Sequence, residues 1–223
     1  MIYNINVNFI PEYAYFIALS LLTSLFVHKK MGMTYLRMFP PFLMLTLIIE
    51  IYSSYRGSIG KNNMPVYNFF SVLEFCFYLF VISLIIKNNK VKKVIRISAF
   101  IYSAIAIINI LFIQGIRSFH TTTYSGGCLL VVTYCIYYFY ELFRTPHTGK
   151  LEYNPAFWIC TGLLFFYCCG FPLYAFIHYW IHSGGLVINS FEMITTILNI
   201  FLYCLFTIAF LCTRTRNYTL LSS

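Results

Sequence analysis

Seven long apolar runs, near residues 10–27, 38–54, 66–86, 96–114, 123–143, 156–180 and 186–211, take up most of this 223-residue chain. Each approaches or exceeds the roughly 20 residues a helix needs to cross the hydrocarbon core of a bilayer. Polar or Pro/Gly clusters separate them. In hydrocarbon a backbone must satisfy its own N–H and C=O groups, so each run should be a helix. The expected fold is all-α, a polytopic membrane protein folded as one compact seven-transmembrane-helix bundle. The connections are at most about a dozen residues long, which leaves no room for a soluble domain. Only 9% of residues are charged and Asp is absent, against about a quarter charged in a soluble domain. No appended kinase, nuclease or nucleotide-binding domain is expected in this stretch. The amino terminus lacks a basic n-region and an A-x-A-like site, so the first run should stay as a helix.

The formal charge of +9 would suit nucleic acid only if it formed a patch on a soluble face. Here it follows the loops instead. Lys29, Lys30, Arg37, Lys87, Lys90, Lys92, Lys93, Arg96, Arg144, Lys150, Arg214 and Arg216 fall on one side, and only Arg56, Lys61 and Arg117 on the other. Lys/Arg-rich loops stay in the cytoplasm, so the amino terminus is expected outside and the carboxyl terminus in the cytoplasm, with the chain in the cell inner membrane. The expected partners are the lipid bilayer and a membrane protein or second copy, with no direct contact to nucleic acid. Any signal would leave through such a partner or through the basic loop 87–96.

All eight cysteines sit inside runs or at a cytoplasmic end, and no C-x-x-C pair occurs. They read as small apolar packing groups. Pro172 should break a backbone hydrogen bond in the sixth run, Pro40-Pro41 should shape the start of the second, and Gly126-Gly127 should let helices approach closely.

Ionisable groups inside a bilayer are costly and mark functional sites. Of the six glutamates, Glu12, Glu50, Glu74 and Glu192 fall in the outer half, and only Glu141 and Glu152 on the cytoplasmic side. His178 and His182 end the sixth run outside, and His120 lies in the outer loop before the fifth. Helical spacing gathers polar residues into stripes: Asn189, Glu192, Thr196, Asn199 and Tyr203 on run seven; Tyr67, Ser71, Glu74 and Tyr78 on run three. Tyr167, Tyr174 and His178 share a face of run six, and Thr46, Glu50 and Ser53 a face of run two. The stripes should converge on an outward-opening polar pocket. Its candidate ligand-binding residues are Glu50, Glu74, Asn189, Glu192, Asn199, Tyr67, Tyr78, Tyr174 and His178, with Glu74 and Glu192 facing one cavity. Carboxylates there must be wet, protonated or bound to a cation. The bland counterpart is an interhelical hydrogen-bond network that only holds the bundle.

Two sharper chemistries compete. His178 and His182, spaced i, i+4, would hold Zn²⁺ with Glu192, Glu50 or Glu74, and a zinc-bound water would make the site an intramembrane hydrolase resembling the seven-helix ceramidases. The pair lacks the Glu of H-E-x-x-H, however, and His178-Tyr179-Trp180 suits an interfacial aromatic belt. Seven helices in this length also match small 3 + 1 + 3 sugar carriers, and Val66–Phe70 faintly echoes Val187–Phe191, but the carriers' Pro-Gln motif is missing. Neither a G-x-S-x-G elbow nor a Gly-rich phosphate loop occurs.

Three stretches, NNMPVYNFFSVLEF (62–75), NPAFWICTGLLFFYCCGFPLY (154–174) and INSFEMITTILNIFLY (188–203), carry a resemblance that runs from the third to the seventh run. The chain resembles a group of uncharacterised seven-helix membrane proteins common in Bacteroidota-type bacteria. In that group an acid follows the Tyr/Leu-rich start of span three, F-W opens span six, and L-N lies within span seven. Glu74, Phe157-Trp158 and Leu198-Asn199 match these. Span seven of the group often has His near Glu192, so a carried-over polar site would be chemically altered. The resemblance implies the fold and no activity. The residues themselves favour a receptor-like or accessory binding protein, with a small-solute or ion transporter and a zinc hydrolase as alternatives.

Overall fold

The computed structural model describes residues 10–28, 32–144, 151–176 and 185–221, of which 185–189 and 214–221 by backbone alone. The described chain is helical and contains no strand. Seven helices follow the seven apolar runs: α1 (Glu12–Val27), α2 (Thr34–Ser58), α3 (Met64–Ile85), α4 (Asn89–Ile113), α5 (Thr121–Arg144), α6 (Pro155–Ala175) and α7 (Gly185–Leu221). All but the 16-residue α1 are long and apolar enough to cross a membrane.

Three boundaries differ from the sequence reading, each for a local reason. Residues 89–96 are not a loop but the first two turns of α4, started by Asn88, whose side chain accepts a hydrogen bond from the Lys90 N–H at 3.0 Å. Lysine is a good helix former, so that cap extends the helix through the basic segment. The start of α2 is broken at Met38, ahead of Pro40 and Pro41 in the first turn of the longer piece. Nothing from Gly185 onward breaks α7, which runs 37 residues and carries Arg214 and Arg216 on its last turns rather than on a tail.

Helices α1, α2, α3, α5, α6 and α7 pack in sequence around a ring that closes through α7 against α1; α4 lies outside, against α3 and α5. Burial follows that placement: 56% of the α3 span window is enclosed, but only 28% of the α4 window. Large apolar side chains cover the outside, with Phe26, Phe100 and Phe112 each more than three-quarters exposed. A soluble monomer rarely exposes apolar patches of this extent. Lipid is the solvent such a surface fits.

One end of the bundle has an aromatic core. Phe39 meets Phe77, Phe206 and Phe210 edge-on at 5.2–5.5 Å between ring centres, and Phe42 stacks on Phe77 at 3.7 Å. This is also the basic end, where Glu141 of α5 accepts the backbone N–H groups of Lys87 and Asn88 at 2.8 and 3.0 Å. At the opposite end, Asn62 donates to the Arg117 carbonyl at 3.0 Å and ties the α2–α3 loop to the α4–α5 loop.

The two glycines of α5 differ. A Cβ at Gly126 would meet open space, whereas one at Gly127 would lie 2.8 Å from the Phe75 ring and from the Tyr102 hydroxyl. Gly127 is therefore where α3, α4 and α5 converge. Gly127→Ala should cost about 1–3 kcal/mol, as overpacking does, and Gly126→Ala should cost nothing; thermal unfolding in detergent separates them. All eight cysteines are free thiols.

Candidate functional site

The end of the bundle opposite the one richest in Lys and Arg contains a cavity of about 270 Å³. Its lining runs from Met64, the first residue of α3, to Glu74, ten residues or ~15 Å along the helix at 1.5 Å per residue. It therefore reaches from the bundle end to the middle of α3.

Two carboxyls line it. Glu50 of α2 accepts hydrogen bonds at one oxygen, Oε2, from the Tyr13 hydroxyl of α1 (2.8 Å) and the Tyr67 hydroxyl of α3 (3.0 Å). Glu74 lies deeper. The hydroxyls of Tyr78 and Tyr167 come close to its carboxyl, but without the geometry of a formed hydrogen bond. Around the acids stand the rings of Tyr13, Tyr67, Phe70, Phe119, Tyr124, Phe166, Tyr174, Phe191 and Tyr203, with Thr46, Ser71, Thr195 and Asn199 as the smaller polar groups. No Lys, Arg or His is among these lining residues.

Of the residues expected from sequence, Glu50, Tyr67, Glu74, Tyr174 and Asn199 share this lining. Glu192 does not. It is exposed, and α7 presents Phe191, Thr195, Asn199 and Tyr203 instead. Those residues follow steps of four, a ridge inclined to the helix axis. The helix thus crosses the cavity obliquely, and at its upper end Glu192 lies about a quarter-turn (100° per residue) from Phe191. The expected pairing of Glu74 with Glu192 is replaced by Glu74 with Glu50. Tyr78 is fully buried and sits behind Glu74, outside the lining. His178 and His182, and the side chain of Asn189, lie outside the described residues. Among the described residues no group of three His, Cys, Asp or Glu could hold a metal.

Behind the wall is a second polar layer that sequence spacing did not reveal. His120 is fully buried and bridges Ser71 (Nε2 to Oγ, 2.6 Å) and Thr123 (Nδ1 to Oγ1, 2.7 Å). Buried Asn68 donates to the carbonyls of Ile116 and Ser118, at 3.1 and 2.7 Å, and accepts from the His120 N–H. Burial lowers the His120 pKa from 6.5 to about 4, so at neutral pH the ring is uncharged. The layer clamps the α4–α5 loop onto α3 and sets Phe119 in the cavity wall.

Six helices long and apolar enough to cross a membrane place the fold among multi-pass α-helical membrane proteins. No family model, curated protein or solved structure matches the chain.

Proposed function

We propose that the protein is a receptor-like binding protein of the inner membrane, with its amino terminus outside and its pocket opening outward, for a small organic cation. One observation carries the ligand class: two carboxyls share an aromatic-walled cavity with no Lys, Arg or His among its described lining residues. A carboxylate withdrawn from water must be protonated, wet or paired with a positive group; a small cation supplies that group here, and aromatic faces attract ammonium ions. At ~30 Å³ per water, 270 Å³ equals about nine waters. The cavity therefore suits a small ligand, of up to about nine non-hydrogen atoms.

The aromatic core supports binding over transport. Phe39, Phe206 and Phe210 are fully buried and fill the bundle between the cavity and the basic end. A carrier would have to part them. The signal would pass to a partner membrane protein or a second copy. In the seven-helix group the chain resembles, the matching Glu and Asn would place a related pocket at Glu74 and Asn199.

Tetramethylammonium is the test ligand. It should raise the unfolding temperature of detergent-purified protein in a concentration-dependent way, since a ligand of the native state stabilises by mass action. Neutral tert-butanol, similar in size, should not. Equal stabilisation by the neutral molecule would refute the cation reading, and uptake of labelled tetramethylammonium into sealed proteoliposomes would refute the receptor in favour of a transporter. A cytoplasmic reporter fused at residue 223 should be active; activity of a periplasmic one would invert the topology.

A further inference from the structure

Helix α4 is the least enclosed of the six membrane-length helices, and two grooves meet on its outer flank. The first is wide and open, about 650 Å³, and includes Lys92, Lys93 and Arg96 with Ile97 and Phe100. The second, about 300 Å³, runs between α3 and α4 along Cys76, Phe80, Ala99 and Ser103. Arg96 and Phe100 belong to both. The basic groove contains no acid, and the inner one is nearly all apolar. Arg96 is held where they join: its guanidinium lies 5.9 Å from the centre of the Phe80 ring, and its Nε donates to Ser83 Oγ at 3.4 Å. Phe100, at 77% exposed, has no protein neighbour covering its outer face.

We infer that these grooves are one site for an anionic phospholipid, its headgroup phosphate on Lys92, Lys93 and Arg96 and one acyl chain along Phe100, Phe80 and Cys76. Charge selects the headgroup, because three cations without an acid favour a net negative lipid over a zwitterion. Shape selects a lipid over a soluble anion. From Asn89 to Ser103 is fourteen residues, ~21 Å of helix, which matches one leaflet of a bilayer 40–45 Å thick with its headgroups. Basic pockets between helices on the cytoplasmic side suit such lipids, and this end carries most of the Lys and Arg. The site is separate from the polar cavity, and its test is independent of that reading.

The experiment measures competition of phosphatidylglycerol against phosphatidylcholine for the protein surface, using spin-labelled lipids in reconstituted vesicles. Wild type should prefer phosphatidylglycerol. At about fivefold per basic residue, Lys92→Gln with Lys93→Gln should lower that preference about 25-fold. Lys61→Gln with Arg117→Gln, an equal charge change at the other end, should leave it intact. Because both groove lysines lie on the outer flank, folding should survive, and the single Lys93→Gln variant should still show a fivefold loss. Ser103→Trp, which fills the inner groove, should weaken the lipid. Soluble glycerol phosphate should compete poorly. An unchanged preference in the groove variants, an equal loss in the control pair, or full competition by glycerol phosphate would each overturn the proposal.

Discussion

Glu74→Gln should reduce tetramethylammonium affinity by two to three orders of magnitude while leaving the protein as stable as wild type or more so. Of the two cavity acids, Glu50 already accepts two phenol hydrogen bonds, so much of its charge is compensated by the protein. Glu74 lies deeper and has two phenols nearby, neither in formed hydrogen-bond geometry. It therefore depends more on a bound cation. Removing one member of a buried charge pair costs about 3–5 kcal/mol, which gives the expected loss at 1.4 kcal/mol per tenfold. The unliganded fold, by contrast, loses a group it has to desolvate and keeps the same volume. Glu50→Gln should weaken binding less and also loosen α1, since Tyr13 then donates to a neutral amide. Glu192→Gln should do nothing, because Glu192 is exposed outside the cavity. Titration calorimetry on the three variants gives the order. Loss of binding in the Glu192 variant, or unchanged binding in the Glu74 variant, would displace the site.

The helices were legible because hydrophobic run length is a strong signal and lipid permits little else. That Glu50, Glu74, Tyr67, Tyr174 and Asn199 would line one cavity was legible too, since polar residues at helical spacing inside an apolar run must face something; whether that cavity binds a ligand is the proposal above. What failed was the angle. The stripe through Glu192 alternated steps of three and four, as for a helix lying parallel to the cavity; α7 instead crosses obliquely and follows steps of four. Tilt depends on the neighbouring helices and is not encoded in one helix's own periodicity. The aromatic walls were missed for another reason. With Phe and Tyr so frequent in this chain, Phe166 and Phe191 look no different in sequence from rings that face lipid.

His120 shows a third limit, and it leads to the second large effect. In sequence it is a polar residue in a loop; in the structure it has no exposed surface and holds that loop through Ser71 and Thr123, with Asn68 gripping the backbone beside it. The groups facing it are these polar side chains and the rings of Phe119 and Tyr124. Its pKa is lowered from 6.5 to about 4 in the docked loop and should return toward 6.5 when the loop detaches into water. The detached form therefore binds a proton that the docked form refuses. Docking is strongest above pH 6.5, weakens by about 1.4 kcal/mol for each unit below it, and levels off below about 4, for a total on the order of 3 kcal/mol. At pH 5 the open population should rise about thirtyfold. Hydrogen exchange of residues 115–120, corrected for its intrinsic pH dependence, measures this directly, and His120→Gln should remove the effect. Because Ser71, Phe119 and Tyr124 also line the cavity, tetramethylammonium should bind more weakly over the same pH range in wild type and less so in the Gln variant. Corrected exchange that stays flat from pH 7 to 4.5 would mean that His120 is already wet, and the clamp would not exist.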